Sequence, residues 1–124
     1  MKTLVDSCGW LEYFTEGKLA EKYYAYLRRF HNIITPTMVV YEVYKKIKKE
    51  RGEEEALLAA AQIEETEIVP LTHSTALLAA DVSLEHKIPM ADAMIYATAR
   101  IHSARLVTSD EHLENLENVV YLKK

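Results

Sequence analysis

The sequence predicts an α/β domain built around a mostly parallel central sheet of four to five short strands. Short apolar runs alternate with longer segments of helical periodicity along the whole chain. The 124 residues are 49% hydrophobic, which is enough to bury one core and too few for two. With only 3 glycines and 3 prolines, no linker or low-complexity tract divides the chain.

The first half of the chain begins with a strand and contains three predicted helices. The predicted elements are, in order, a strand at 3–5, helices at 8–14 and 18–30, a strand at 33–34 and a helix at 36–50. Asp6 or Ser7 can accept a hydrogen bond from the free N–H groups that open the first helix. Thr35 as cap and Pro36 as first helical residue start the third helix, which Gly52 ends.

The second half continues the alternation. The predicted elements are a helix at 53–66, a strand at 68–69, helices at 72–86 and 89–101, a strand at 105–108, a short helix at 111–116 and a strand at 119–121. The helix that Pro89 opens is apolar nearly all round until Arg100 and His102, which places it at the centre of the domain. Ligands of parallel sheets bind beyond the carboxyl ends of the strands.

Composition narrows the class of protein. A net charge of -4 argues against a general basic coat for nucleic acid, although an acidic site that binds cations still permits RNA as a substrate. One cysteine, Cys8, excludes an internal disulfide and a cysteine-based zinc site, and it predicts a reducing compartment. No signal-peptide pattern or membrane-length apolar run is present, so we expect a cytoplasmic protein.

Four acidic residues stand beside apolar segments. Asp6 and Asp110 each follow a predicted strand, Glu42 flanks the apolar stripe of its helix, and Asp92 lies on the nearly apolar helix. A buried carboxylate is costly unless it is paired or bound to a cation. If the fold brings these four acids together, they would form a site for a hard divalent metal ion.

Each acid also has an ordinary structural role. Asp6 and Asp110 precede helices, where aspartate is a preferred N-cap. Asp92 lies in the first turn of its helix, where the helix dipole favours negative charge. Glu42 could pair with Lys46 four residues later, although its place at the flank of the apolar stripe weakens that alternative.

Four segments, taken together and in this order, carry a family resemblance: residues 4–7 (LVDS), 40–43 (VYEV), 88–93 (IPMADA) and 106–110 (LVTSD). The chain resembles PIN-domain ribonucleases, and most closely the VapC toxins of prokaryotic toxin–antitoxin pairs. The resemblance implies a single PIN-like domain over 1–124 with a three-layer α/β/α arrangement. It also implies an endoribonuclease, dependent on Mg²⁺ or Mn²⁺, that hydrolyses RNA phosphodiester bonds.

The resemblance assigns catalysis and metal binding to Asp6, Glu42, Asp92 and Asp110. Asp6 and Asp92 are expected to be the main metal ligands, and Asp110 to complete the site or hold a second ion. Glu42, with its longer side chain, is expected to orient or deprotonate the attacking water. Carboxylate oxygens suit hard cations that keep several waters, so the residue types fit this chemistry.

Several further residues are secondary candidates. The hydroxyls of Ser7 and Thr108 could bind a metal water or a phosphate oxygen, or serve only as caps and backbone partners. Lys46 is a candidate phosphate contact within the basic run 45–51, most of which is typical of a solvated helix face. Tyr24 lies off its helix's apolar stripe, and the resemblance suggests that a VapB-type antitoxin helix binds there and that the toxin forms a homodimer. His112 is more typical of a surface residue.

Three alternatives remain open. The chain could be a PIN-family nuclease of RNA processing that is not a toxin. It could also be a non-catalytic PIN-like binding module, although such a module would be expected to lack one of the four acids. A phosphoacceptor receiver domain would require an aspartate ending a central strand and a lysine ending a late strand. Here Pro70 follows the strand at 68–69, and Thr108 stands at the end of the strand at 105–108. Neither required residue is present, which argues against a receiver domain.

Overall fold

The computed structural model describes all residues 1–124 and contains a five-stranded sheet. The strands are β1 (Thr3–Val5), β2 (Ile33–Pro36), β3 (Glu67–Val69), β4 (Arg105–Thr108) and β5 (Val119–Tyr121). Their order across the sheet is β3-β2-β1-β4-β5, and all four neighbouring pairs are parallel. The predicted α/β class is therefore confirmed, and the sheet is wholly rather than mostly parallel.

Six helices flank the sheet. They are α1 (Ser7–Phe14), α2 (Ala20–Leu27), α3 (Thr37–Arg51), α4 (Glu53–Ile63), α5 (His73–His86) and α6 (Met90–Ile101). Helix α1 packs on α2 and α3, α3 packs on α4, and α5 packs on α6. None of these helices is both long and apolar enough to cross a membrane.

Several predicted helix boundaries were wrong: the helix predicted at 53–66 ends at Ile63, and the short helix predicted at 111–116 is a 3₁₀ turn at Glu111–Leu113. Pro36 has an extended backbone (φ -63°, ψ 146°) and is the N-cap of α3, so the helix begins one residue later than predicted. Thr35 does not cap it, because its hydroxyl lies 2.7 Å from that of Thr66 at the entry to β3. The predicted helix at 18–30 divides, since Arg29 leaves the helical region and a 3₁₀ turn follows at Phe30–Asn32.

The core lies on both faces of the central strands. Every residue of β1 is buried, as are all residues of β4 except its first, which is the pattern of parallel strands covered on both sides. Helix α6 buries its residues from Ile95 to Ala99 without interruption. This confirms the predicted central position of that helix and carries Asp92, at its start, towards the edge of the sheet.

Candidate active site

Parallel pairing of β1 with β4 brings Asp6 and Asp110 to the same edge. Val5 is in register with Val107, and the Asp6 N–H donates to the Val107 carbonyl at 3.0 Å. Both acids also cap the helical turns that follow them. Asp6 Oδ1 accepts from the N–H of Ser7 at 2.7 Å, and Asp110 Oδ1 accepts from the N–H of His112 at 2.9 Å. Asp6 and Asp110 therefore act as caps and also belong to the acidic cluster.

Thr108 connects these two acids. Its fully buried hydroxyl donates to Asp6 Oδ2 at 2.7 Å and accepts from the N–H of Asp110 at 3.0 Å. A hydroxyl has a single proton, so the donation to Asp6 leaves its oxygen lone pairs to receive the Asp110 N–H. One side chain thus fixes the carboxylate of one acid and the backbone of the other.

Asp92 faces Asp110 across the site, with His112 between them. The Nδ1 atom of His112 lies 3.2 Å from Asp92 Oδ2 and 3.0 Å from Asp110 Oδ1. Ligand atoms of the three side chains all lie within 4.8 Å of one another. The Asp92 side chain is only 14% exposed.

His112 thus contacts two of the four acids, although the sequence favoured an ordinary surface position. Its side chain is 57% exposed, so that expectation is correct for exposure. The spacing of Asp110 and His112 is a signal for this contact. A capping aspartate commonly accepts the N–H of the residue two positions later, which keeps that residue close to the carboxylate.

Glu42 brings the fourth carboxylate from α3. Its Oε1 atom is buried and has no hydrogen-bond partner. The expected alternative, an ion pair with Lys46, does not form, because Lys46 Nζ lies 3.3 Å from Glu50 on the exposed face. Glu42 therefore has a buried acceptor atom that points into the protein near the other acids, and Lys46 lies outside the cluster.

The mutual influence of the four acids appears in their pKa values. Burial, with the neighbouring Asp110, raises the pKa of Asp92 to about 7. Burial also raises the pKa values of Asp6 and Glu42, and the charge of Asp110 raises both further. Burial alone would raise the pKa of Asp110, but hydrogen bonds from His112 and Asp92 outweigh it and lower that pKa. Near neutral pH, Asp92 and Asp110 compete for one proton, and a bound cation would relieve the repulsion.

A second group of polar side chains, which the sequence analysis did not predict, lies beneath the acids. The hydroxyls of Tyr23 and Ser109 are 2.5 Å apart, and the N–H of Ser109 lies 3.4 Å from Cys8 Sγ. Cys8 Sγ is in turn 3.8 Å from the Thr108 hydroxyl. Tyr23 is fully buried. Only the folded chain shows that its hydroxyl supports the segment carrying Thr108 and Asp110.

A surface of aromatic side chains lies between α1 and α2. We call it the aromatic groove; it joins two cavities lined by Trp10, Tyr13, Phe14, Tyr24, Phe30 and Gln62 and by the charged side chains of Glu16, Glu21, Arg28 and Glu65. Tyr13 and Tyr24 stack with ring centroids 5.8 Å apart and planes 9° apart. Tyr24 is 49% exposed, as its position off the apolar stripe predicted.

Three solved structures share the fold of this chain. A toxin–antitoxin complex from Klebsiella pneumoniae has a TM-score of 0.84 at 21% identity, covering 99% of this chain and 100% of that one. VapBC2 from Rickettsia felis, bound to a DNA fragment from its promoter, has a TM-score of 0.75 at 16% identity, covering 99% and 98%. The Mycobacterium tuberculosis toxin VapC20, described as cleaving the sarcin–ricin loop, has a TM-score of 0.70 at 17% identity, covering 84% and 85%.

Sequence comparisons give a family rather than a close relative. No curated protein matches the chain significantly. The sequence model of the PIN domain, in contrast, matches residues 3–119. That match spans almost the whole sequence and agrees with the wholly parallel five-stranded sheet described above. The chain therefore belongs to the PIN-domain family.

Proposed function

We propose that this chain is a VapC-type toxin, a nuclease that hydrolyses RNA phosphodiester bonds with the help of Mg²⁺ or Mn²⁺. The observation that carries the proposal is the convergence of Asp6, Glu42, Asp92 and Asp110 at the carboxyl edge of the sheet. Membership of the PIN-domain family and the fold shared with VapC toxins support it. We propose further that residues 1–124 form a single PIN-like domain.

The side chains of the site fit a hard divalent cation. The donor set is made of carboxylates, the ligands that such ions prefer. Glu42 Oε1 is buried without a hydrogen-bond partner, which is costly unless a ligand or water completes its surroundings. Asp6, Asp92 and Asp110 would hold the ion, with His112 Nδ1 beside the last two.

The protein side chains have separable roles in the reaction. A bound divalent ion supplies charge neutralisation and makes a water molecule easier to deprotonate. Glu42 receives the proton of the attacking water, because burial and the charge of Asp6 raise the pKa of its carboxyl group. The water oxygen then forms a bond to phosphorus while the bond to the leaving oxygen breaks, and the leaving oxygen takes up a proton from solvent. Thr108 keeps Asp6 oriented throughout through its 2.7 Å hydrogen bond.

A cleavage assay tests the nuclease. We expect Asp92→Asn to abolish Mg²⁺-dependent hydrolysis of RNA, since the substitution removes a charge and keeps the shape of the side chain. Asp81→Asn is a matched control, because Asp81 is an exposed acid on α5 away from the site. Turnover by Asp92→Asn close to that of the unaltered protein would show that the proposed site is wrong.

We propose a VapB-type antitoxin as partner, bound with a helix in the aromatic groove. The related structures from Klebsiella pneumoniae and Rickettsia felis are toxin–antitoxin complexes. Tyr24 presents half of its surface beside Tyr13, as an anchor for an apolar helix face would. Tyr24→Ala should weaken antitoxin binding in a calorimetric titration and leave cleavage by the free toxin unchanged. A homodimer is a further expectation, which sedimentation of the purified protein would test.

A further inference from the structure

Helix α3, which carries Glu42, exposes an aromatic ring. Tyr41 directly precedes Glu42 and is 60% exposed. Lys45 lies over it, with Nζ 3.1 Å from the Tyr41 hydroxyl and 5.3 Å from the ring centroid. The lysine therefore holds the ring in place without covering it.

The positive charges of the same helix are not equivalent. Carboxylates neutralise three of the five basic side chains at distances of 3.3–3.7 Å, in the pairs Lys46–Glu50, Lys48–Glu53 and Arg51–Glu55. Lys45 and Lys49 have no carboxylate partner. They follow Glu42 by three and seven residues, which are positions on the same side of a helix. The unpaired positive charge of α3 is thus concentrated next to the catalytic acids.

We propose that Tyr41 and Lys45 bind single-stranded RNA beside the bond that is cut. The Tyr41 ring stacks on a nucleobase, and Lys45 binds the adjoining phosphate. This inference rests on the proposed function, because it places the substrate's phosphodiester at Glu42 and its neighbours. Lys45 lies one turn after Glu42 on the same side of the helix, and its Nζ is 3.1 Å from the Tyr41 hydroxyl, so the lysine links the ring to the side of the helix that carries Glu42.

The chemistry favours RNA over other occupants. Every nucleobase has a flat face that can stack on an exposed ring, and proteins that bind single strands combine such rings with basic side chains. Unpaired positive side chains near the site attract the phosphates of a strand. A second pair on α3 offers an internal contrast. Tyr44 and Lys48 have similar geometry, but Glu53 neutralises that lysine and Tyr44 packs against the core.

The test measures binding of a labelled oligoadenosine to the Asp92→Asn protein, in which cleavage is blocked. Removing the ring with Tyr41→Ala should weaken binding by roughly tenfold or more, whereas Tyr41→Phe keeps the ring and should bind nearly normally. Lys45→Ala should reduce the slope of affinity against salt by about 0.7, the value for one phosphate of a single strand. Lys48→Ala is the control and should leave the slope unchanged.

The outcomes separate this inference from the proposed function. If the unaltered protein cleaves RNA but Tyr41→Ala binds the oligonucleotide as tightly as its parent, the stacking site is wrong and the nuclease stands. If Lys45→Ala and Lys48→Ala change the salt dependence of RNA binding equally, the proposed phosphate contact of Lys45 is wrong. If the unaltered protein neither cleaves nor binds RNA, the proposed function is refuted and this inference with it.

Discussion

Asp92→Asn should stabilise the protein while it disables the site. Burial and Asp110 raise the pKa of Asp92 to about 7. Above that pH the folded chain contains a charged carboxylate whose ionisation is unfavourable in the folded state. An asparagine has nearly the same shape and carries no charge. Asp110 keeps its own contact of 3.0 Å with His112 Nδ1, so the remaining site has a partner.

The size of the effect follows from the pKa. One pKa unit corresponds to about 1.4 kcal/mol, so a rise from 3.8 to about 7 corresponds to about 4 kcal/mol. Asp110 titrates together with Asp92, and its pKa is lowered. The favourable ionisation of Asp110 offsets part of the destabilisation caused by Asp92. We therefore expect Asp92→Asn to raise the free energy of unfolding by about 2 kcal/mol at about pH 8 in the presence of a chelator.

The effect of Asp92→Asn on the free energy of unfolding should depend on pH. A carboxyl group whose pKa is raised on folding is protonated in the folded state over a range where the unfolded chain has released its proton. Its contribution to stability therefore falls as pH rises from about 4 to about 7, and the gain from Asp92→Asn should shrink as pH is lowered through that range. Urea denaturation at several pH values measures both quantities, with Asp81→Asn as the control. An unchanged or lower stability at about pH 8 would refute the reasoning.

Three further outcomes are expected. Thr108→Val should lower the free energy of unfolding by about 1–3 kcal/mol in urea denaturation, because Asp6 loses its buried donor, and Thr108→Ser should recover most of that loss. Gly9→Ala should cost about 1–3 kcal/mol, since the added Cβ would overlap the Tyr23 ring and lie 2.6 Å from Val5 Cγ1; an unchanged melting temperature would contradict this packing. Mn²⁺ at about a hundred times its dissociation constant should add about 2.7 kcal/mol, and less in Asp6→Asn; a melting temperature that does not respond to Mn²⁺ would count against a metal site.

The sequence predicted the strands well, and with them the edge at which Asp6 and Asp110 meet, because both depend on local and topological rules. Apolar runs such as Leu106-Val107 become buried strands in almost any α/β fold, and parallel pairing then brings the residues after them to one edge. The predicted helix start at Pro36 failed by one residue. The Thr35 hydroxyl found a partner in Thr66, which is distant in sequence, and local capping preferences do not anticipate such a partner.

Side-chain contacts were harder to predict, because a side chain often has more than one possible ion-pair or hydrogen-bond partner and the fold decides which pair forms. Lys46 could pair with Glu42 or with Glu50, each four residues away, and the sequence alone does not decide between them. The fold draws Glu42 inwards, so Lys46 pairs with Glu50. The contact of His112 with two acids likewise requires α6 and the turn after β4 to meet in space.

Two acids of the site begin helical turns, and this double use affects how the protein tolerates mutation. Replacing Asp6 by alanine removes a carboxylate and also the cap of α1, worth about 1 kcal/mol, and replacing Asp110 removes the cap of the 3₁₀ turn at Glu111–Leu113. Loss of the proposed activity would then be confounded with loss of folded protein, whereas asparagine keeps the cap and separates the two effects. In a screen for inactive variants, substitutions at Glu42 and Asp92 should yield abundant protein, whereas many at Asp6 and Asp110 should lower the amount of protein in the cell.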